Sequence, residues 1–215
     1  RDCLLSRGLG DVYKRQLVVR ADSNIQTLDD LSGHTVSIGA EESGTERNAT
    51  QILEFAGMPS SLVATKNLDY IEATKELKAG DIDAFFCTAG LTTTVIDELS
   101  KECDIRLIPL TDTVISKMLE SSLAYTSEVI PAGTYTGQTT DISTIGVKSV
   151  LITKADVSDD TIEQLTSLLF EKENEISYSN SLKLELTYDF ATDDIPIPFH
   201  DGAKRYYKAC GYSTN

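Results

Sequence analysis

The chain has 215 residues, 40% hydrophobic, 25% charged and 7% aromatic, a globular balance long enough for one large domain or two small ones. Thirty-four Asp and Glu against 19 Lys and Arg give a formal net charge of −15, which opposes non-specific attraction to nucleic-acid phosphates or anionic membranes. No apolar run approaches the roughly 20 residues that cross a bilayer, so the expectation is a soluble acidic protein.

Arg1–Gln16 (RDCLLSRGLGDVYKRQ) stands apart. It carries Arg1, Arg7, Lys14 and Arg15 against Asp2 and Asp11, shows no clear period, and lacks an initiator Met. It also lacks the apolar core and small-residue cleavage site of a secretory signal. It reads as translated adapter sequence, with a native basic tail as the alternative. On that reading residues 1–16 lie outside the fold and an N-terminal part of the protein precedes Leu17.

From Leu17 the pattern alternates. Leu17–Arg20 reads as a buried strand, residues 21–33 as a turn and a short helix, and Thr35–Ile38 as the next strand. Ala49, Ile52, Leu53 and Ala56 fall at i, i+3, i+4 and i+7 of a helix opening at Ser43. Gly57 and then Pro59 close it. A helix over about 70–79 ends at Gly80, followed by a strand over Ile82–Cys87. Helix 92–101, strand 105–109 and a helix marked by Val114, Ile115, Met118 and Leu119 follow. Residues 121–143 are polar and aperiodic. Strand 145–153, a helix from Ser158 and a last helix over about 203–210 complete the chain. The alternation predicts an α/β fold with a mostly parallel sheet and helices on both faces. Ligands in such sheets sit beyond the carboxyl ends of the strands.

Three loops lie there. In the first, Gly39–Glu46, Ser43-Gly-Thr-Glu46 fits a capping box in which Ser43 Oγ takes the Glu46 N–H and the Glu46 carboxylate returns to the Ser43 N–H. Alone it reads as a helix start. Its functional reading adds first-turn N–H groups that hold a carboxylate, with Gly44 allowing close approach and Thr45 adding a hydroxyl. Glu41 and Glu42 oppose an anion unless they face solvent. In the second loop, Cys87–Thr94, Gly90 suits a tight turn, Ala89 and Gly90 leave room for a small ligand, and the threonines can cap the next helix. In the third, Ile130–Gln138 (IPAGTYTGQ), Tyr135 offers a ring face and a hydroxyl. Its bland reading is a turn with a partly buried Tyr.

Catalytic signals are thin. No G-x-x-x-x-G-K-[ST], G-x-G-x-x-G or G-x-S-x-G occurs. His34 and His200 read as surface or capping residues, and a Cys87–His200 dyad has no local signature. Cys87, Cys103 and Cys210 show no metal spacing. They read as ordinary thiols, with a Cys87–Cys103 pairing open. No catalytic residue, metal or cofactor is assigned.

Taken together, VVRADSNIQTLDDLSGHTVSIGAEESGTERNA, GDIDAFFCTAG, DIRLIPL, IPAGTYTGQTTDISTIGVKSVLITKAD and IPIPFHDGAKRYY resemble the TAXI family, the TRAP-transporter-associated extracytoplasmic immunogenic proteins. The resemblance runs from Leu17 to about Gly211. It implies a type II periplasmic-binding-protein fold, two α/β lobes joined by crossover strands. Residues 17–30 and 142–215 would belong to lobe 1, incomplete here, and 31–141 to lobe 2. It further implies a periplasmic or otherwise extracytoplasmic receptor, free or lipid-anchored, with no enzyme activity. Such a receptor captures a small carboxylate, glutamate or a dicarboxylate such as 2-oxoglutarate. It passes that solute to the membrane subunits of a TRAP transporter. Carried over by motif, Ser43, Gly44, Thr45, Ala89, Gly90, Thr134 and Tyr135 would contact the ligand. Thr136 stands where the family often has Pro, and Glu41-Glu42 where it has a neutral pair. The competing readings are a thiamine-pyrimidine-synthesis-like enzyme on the same scaffold and the effector-sensing domain of a transcription regulator.

Overall fold

A computed structural model describes residues 3–171, 187–193, 195 and 197–214, with side chains from residue 12 onward. The chain divides into two compact units, Tyr13–Gly146 and a second formed by Arg1–Val12 with Val147–Asn215.

The Tyr13–Gly146 unit alternates strands and helices, as expected. Its elements are β1 (Cys3–Arg20, shared with the other unit), β2 (Thr35–Ser37), α1 (Gly44–Phe55), β3 (Ala64–Lys66), α2 (Tyr70–Ala79), β4 (Ala84–Ala89), α3 (Thr94–Glu102), β5 (Ile105–Ile108), α4 (Asp112–Ser121), β6 (Tyr125–Ile130) and the start of β7 (Ile142–Lys154). The sheet runs β3-β2-β4-β1-β7-β6, with β5 also paired to β1. β2 is parallel to both β3 and β4, whereas β1 runs antiparallel to β4 and β5.

Strand periodicity builds two cores at once. Along β1, Leu17 and Val19 face one side and Val18 the other; along β4, Ala84 and Phe86 oppose Phe85 and Cys87. The first set packs with Val36, Ile52 and Leu53 of α1 and Val114 and Met118 of α4. The second packs with Ala73 and Leu77 of α2, Ile96 and Leu99 of α3, and Leu107. Strands covered on both faces must be apolar at every position, which is why LVV and AFFC carry no polar residue. Each Val, Leu, Ile, Phe or Met among them contributes about 1.5–3 kcal/mol on burial. Helix ends follow local chemistry. Asp69 accepts the Glu72 N–H at 2.8 Å to open α2, and Gly80, at φ 83°, closes it in the left-handed region.

Three expectations change. β1 does not begin at Leu17: Lys14, Arg15 and Gln16 pair with Ala89, Thr88 and Cys87. A backbone ladder ignores side-chain identity, so the strand extends through this polar segment. The cost falls on Arg15, which is buried. Its Nη1 donates to the Tyr13 carbonyl at 2.6 Å, its Nε has no partner, and burial pushes the guanidinium down to about 10. Whatever lobe it serves, the segment 17–30 lies within the Tyr13–Gly146 unit, where Leu17, Val19, Ile25 and Leu28 share the core. The polar 121–143 stretch contains β6, which ends the sheet order and so carries Thr126 and Glu128 where an interior strand would need apolar residues. The short strand β3, with two of its three residues exposed, has too little apolar pattern to be seen in sequence.

In the second unit, α5 (Asp159–Glu171) packs on a last helix (Asp201–Ala209). A five-residue helix, Tyr188–Thr192, was not anticipated. Ile162, Ala191, Phe199, Ala203 and Tyr207 form its core, with the Phe170 and Tyr188 rings stacked at 4.4 Å between centroids. No helix among the described residues is long and apolar enough to cross a membrane.

Candidate functional site

The sharpest chemistry in the Tyr13–Gly146 unit lies where β2 passes into α1. Ser43 is the N-cap, and its Oγ accepts the Glu46 N–H at 3.1 Å, as expected. The return bond differs: Glu46 Oε2 accepts from the Glu42 N–H at 2.6 Å, because the Ser43 N–H already donates to the Ala40 carbonyl. Glu46 Oε1 takes a bond from Asn67 Nδ2 at 2.8 Å, and Asn67 also donates to the Gly39 carbonyl at 3.0 Å. Glu41 and Glu42 are exposed, which removes their objection to an anion. Gly44 and Thr45 are the first two residues of α1, so their N–H groups have no acceptor within the helix.

Gly39 makes this geometry available. It sits at φ 98°, and a Cβ there would lie 2.8 Å from Thr45 Cβ and 3.1 Å from Ser43 Oγ. Only glycine lets the chain pass this close to the helix start.

The second loop is tied to the first through Tyr70, which the sequence reading left unassigned. Tyr70 Oη lies 2.7 Å from Thr45 Oγ1, donates to the Thr88 carbonyl at 3.1 Å and accepts the Thr88 N–H at 3.2 Å. Ala89 and Gly90 follow directly, half-buried and buried. Thr93 occupies the N-cap position of α3 but does not cap it with its side chain; its hydroxyl turns back to the Gly90 carbonyl at 2.8 Å.

Tyr135 is 3% exposed, and its hydroxyl is spent. It donates to Gln16 Oε1 at 2.6 Å and accepts the Thr93 N–H at 3.2 Å, while Gln16 Nε2 donates to Thr93 Oγ1 at 2.9 Å. Thr134 Oγ1 donates to the Pro131 carbonyl within its own loop. The structure thus joins Thr45, the β4 end and Tyr135 through Tyr70 and Thr93, and leaves Thr134 outside that network. Ser43 borders a hollow beside α1 with Glu42, Glu46 and Arg47, whereas Tyr135 lines a cavity of about 470 Å³ with Arg106, Leu107, Gln138 and Asp141.

Electrostatically these groups are inert. Burial raises both the Tyr70 and Tyr135 phenols, and it pushes the Cys87 thiol up to about 12. Cys87, Cys103 and Cys210 are free thiols. His200 has both ring nitrogens engaged, with the Val157 carbonyl and the Gly202 N–H. A Cys87–His200 dyad therefore has neither an activated nucleophile nor a free base. Among the described residues, no three His, Cys, Asp or Glu side chains gather to hold a metal ion.

Of the residues missed, Asn67 and Tyr70 flank the Asp69 cap at the start of α2; their signal was polar groups at a helix N-terminus beyond a strand end. Gln16 belongs to the basic, aperiodic segment 1–16, whose composition gives no sign of a site.

Comparison with known proteins adds a family and a set of similar structures. The model of the NMT1-like family matches residues 12–211. Among solved structures, the periplasmic aliphatic sulphonate binding protein SsuA of Escherichia coli is 15% identical, with 83% of this chain and 45% of that chain covered and a TM-score of 0.40. A mutant of ArgBP from T. maritima is 19% identical, over 82% of this chain and 58% of that one, with a TM-score of 0.44. An amino acid ABC transporter substrate-binding protein from Streptococcus pneumoniae, bound to L-arginine, is 14% identical over the same shares, also at 0.44. The chain spans about half the length of these solved structures.

Proposed function

The chain belongs to the NMT1-like family, and from that premise we propose that it is part of an extracytoplasmic solute-binding receptor that holds a small carboxylate at the N-terminus of α1. The observation that carries this reading is the pair of first-turn N–H groups of Gly44 and Thr45, which have no helical acceptor and lie beside the β4 end. Such a pair, at the positive end of a helix dipole, suits a carboxylate. Glutamate or a dicarboxylate such as 2-oxoglutarate is the ligand class that the TAXI resemblance supports, with the membrane subunits of a TRAP transporter as partner and the periplasm or cell exterior as location. The Tyr13–Gly146 unit is then one lobe, and Val147–Asn215 contributes to the other. Ala89 and Gly90 border the ligand, and Tyr135 holds the α3 start in place. The receptor performs no chemistry, in keeping with the engaged His200 and the thiol-form Cys87.

Gly44→Pro tests the assignment. Gly44 is the first helical residue, where Pro is favoured; a Cβ there meets nothing within 4 Å, and Ser43 at φ −75°, ψ 159° is compatible with a following Pro. The substitution removes one ligand-facing N–H and leaves the fold intact. Titration calorimetry with glutamate, 2-oxoglutarate and succinate should give micromolar-range binding to at least one acid, weakened about tenfold in Gly44→Pro, the equivalent of one charge-assisted hydrogen bond. Equal affinity in the variant, or no binding of any of the three acids, contradicts the proposal.

A further inference from the structure

The start of the last helix in the Val147–Asn215 unit carries a separate piece of chemistry. His200 is 1% exposed and stands at the N-cap, where its Nδ1 accepts the Gly202 N–H at 3.1 Å. Its Nε2 lies 3.0 Å from the Val157 carbonyl oxygen. A carbonyl only accepts, so Nε2 bears the proton; a backbone N–H only donates, so Nδ1 bears the lone pair. Both contacts define one species, the neutral Nε2–H tautomer. A serine, threonine or aspartate cap keeps an acceptor lone pair over the whole physiological range. This cap keeps its acceptor only while the ring is uncharged.

The surroundings supply the second state. Asp159 Oδ1, in the first turn of α5, is 3.7 Å from Nδ1. The other carboxylates nearby are engaged: Asp160 and Glu163 of α5 with Arg205 Nη2 at 2.6 and 2.8 Å, and Asp201 with Lys204 Nζ at 3.0 Å. Among the described residues, no Lys or Arg forms an ion pair with Asp159, although Arg205 feels its charge, so Oδ1 is placed to accept a hydrogen bond from a protonated Nδ1. The approach is close: a Cβ on Gly202 would clash with the Asp159 carbonyl oxygen, so the two helices meet at their backbones beside His200.

We propose that His200 is a pH-sensitive latch between α5 and the last helix. When Nδ1 takes a proton from solvent, the Gly202 N–H loses its acceptor and Nδ1–H turns to the Asp159 carboxylate. The first turn of the last helix then opens, and deprotonation closes it.

Two NMR measurements test this. Long-range proton–nitrogen correlation at pH 7.5 should find His200 in the Nε2–H form. Amide exchange, corrected for its intrinsic pH dependence, should show protection at Gly202 and Ala203 falling about tenfold between pH 7.5 and 5.0. In His200→Asn, whose side-chain oxygen caps without titrating, the fall should be absent. An Nδ1–H tautomer at pH 7.5, no fall in the wild type, or an equal fall in His200→Asn overturns the latch. If His200→Asn does not fold, His34→Gln, which removes the other histidine, decides: a fall that persists supports the latch, and one that vanishes overturns it.

Discussion

Two loops rich in turn-forming and polar residues, Gly39–Glu46 and Pro131–Asp141, use those residues differently. In Pro131–Asp141 the Gln138 and Asp141 side chains tie the loop to its own backbone. Gln138 Nε2 lies within hydrogen-bond distance of the Ile130, Pro131 and Thr140 carbonyls, and its Oε1 accepts the Tyr135 N–H. Asp141 accepts the Ala132 N–H, and Gly133 N–H donates to the Gln138 carbonyl. In Gly39–Glu46 the Ser43 and Glu46 side chains bond the turn backbone, and the Gly44 and Thr45 N–H groups are left without a helical acceptor. A polar loop is therefore no guide to a binding site by itself; what matters is which donors remain after the loop has satisfied its own backbone.

Three substitutions sharpen that contrast. The largest effect is expected from Gly39→Ala, which combines a left-handed φ with a 2.8 Å approach to Thr45. It should cost about 3 kcal/mol by denaturant titration, with the α1 start displaced. Gln138→Ala should cost about 2 kcal/mol through the bonds it removes. Hydrogen exchange should then loosen residues 131–141 and leave 39–46 unchanged. A loss of protection shared by both loops would show that they are not separate devices. Ser43→Ala removes a single cap bond and should cost about 1 kcal/mol; a cost near zero would mean that Glu46 and Asn67 hold the loop without it.

The sequence made the architecture legible because period is robust. Leu17–Val19 and Ala84–Cys87 are too uniformly apolar to be anything but doubly covered strands, and Ile52–Leu53 and Ile96–Leu99 mark helix faces directly. β6 escaped because an edge strand tolerates Thr126 and Glu128, and β3 because three residues, two of them exposed, have no period to read. At the site, the capping box revealed Ser43 and Glu46, but its return bond moved to Glu42 because the Ala40 turn had already taken the Ser43 N–H. Tyr135 drew attention as a hydroxyl and turned out to be a buried pin between Gln16 and Thr93. Tyr70 drew none, yet joins α1 to β4. Which hydroxyls stay free depends on long-range partners, and no local motif encodes those.

The most direct test of the central claim, that the ligand carboxylate meets the α1 start and the Pro131–Asp141 loop is scaffold, is amide NMR during titration with glutamate and 2-oxoglutarate. The account predicts that the Gly44 and Thr45 amide protons move downfield on saturation while Gly133 and Gly137 hold still. Shifts confined to residues 133–138, with Gly44 and Thr45 unmoved, would contradict it.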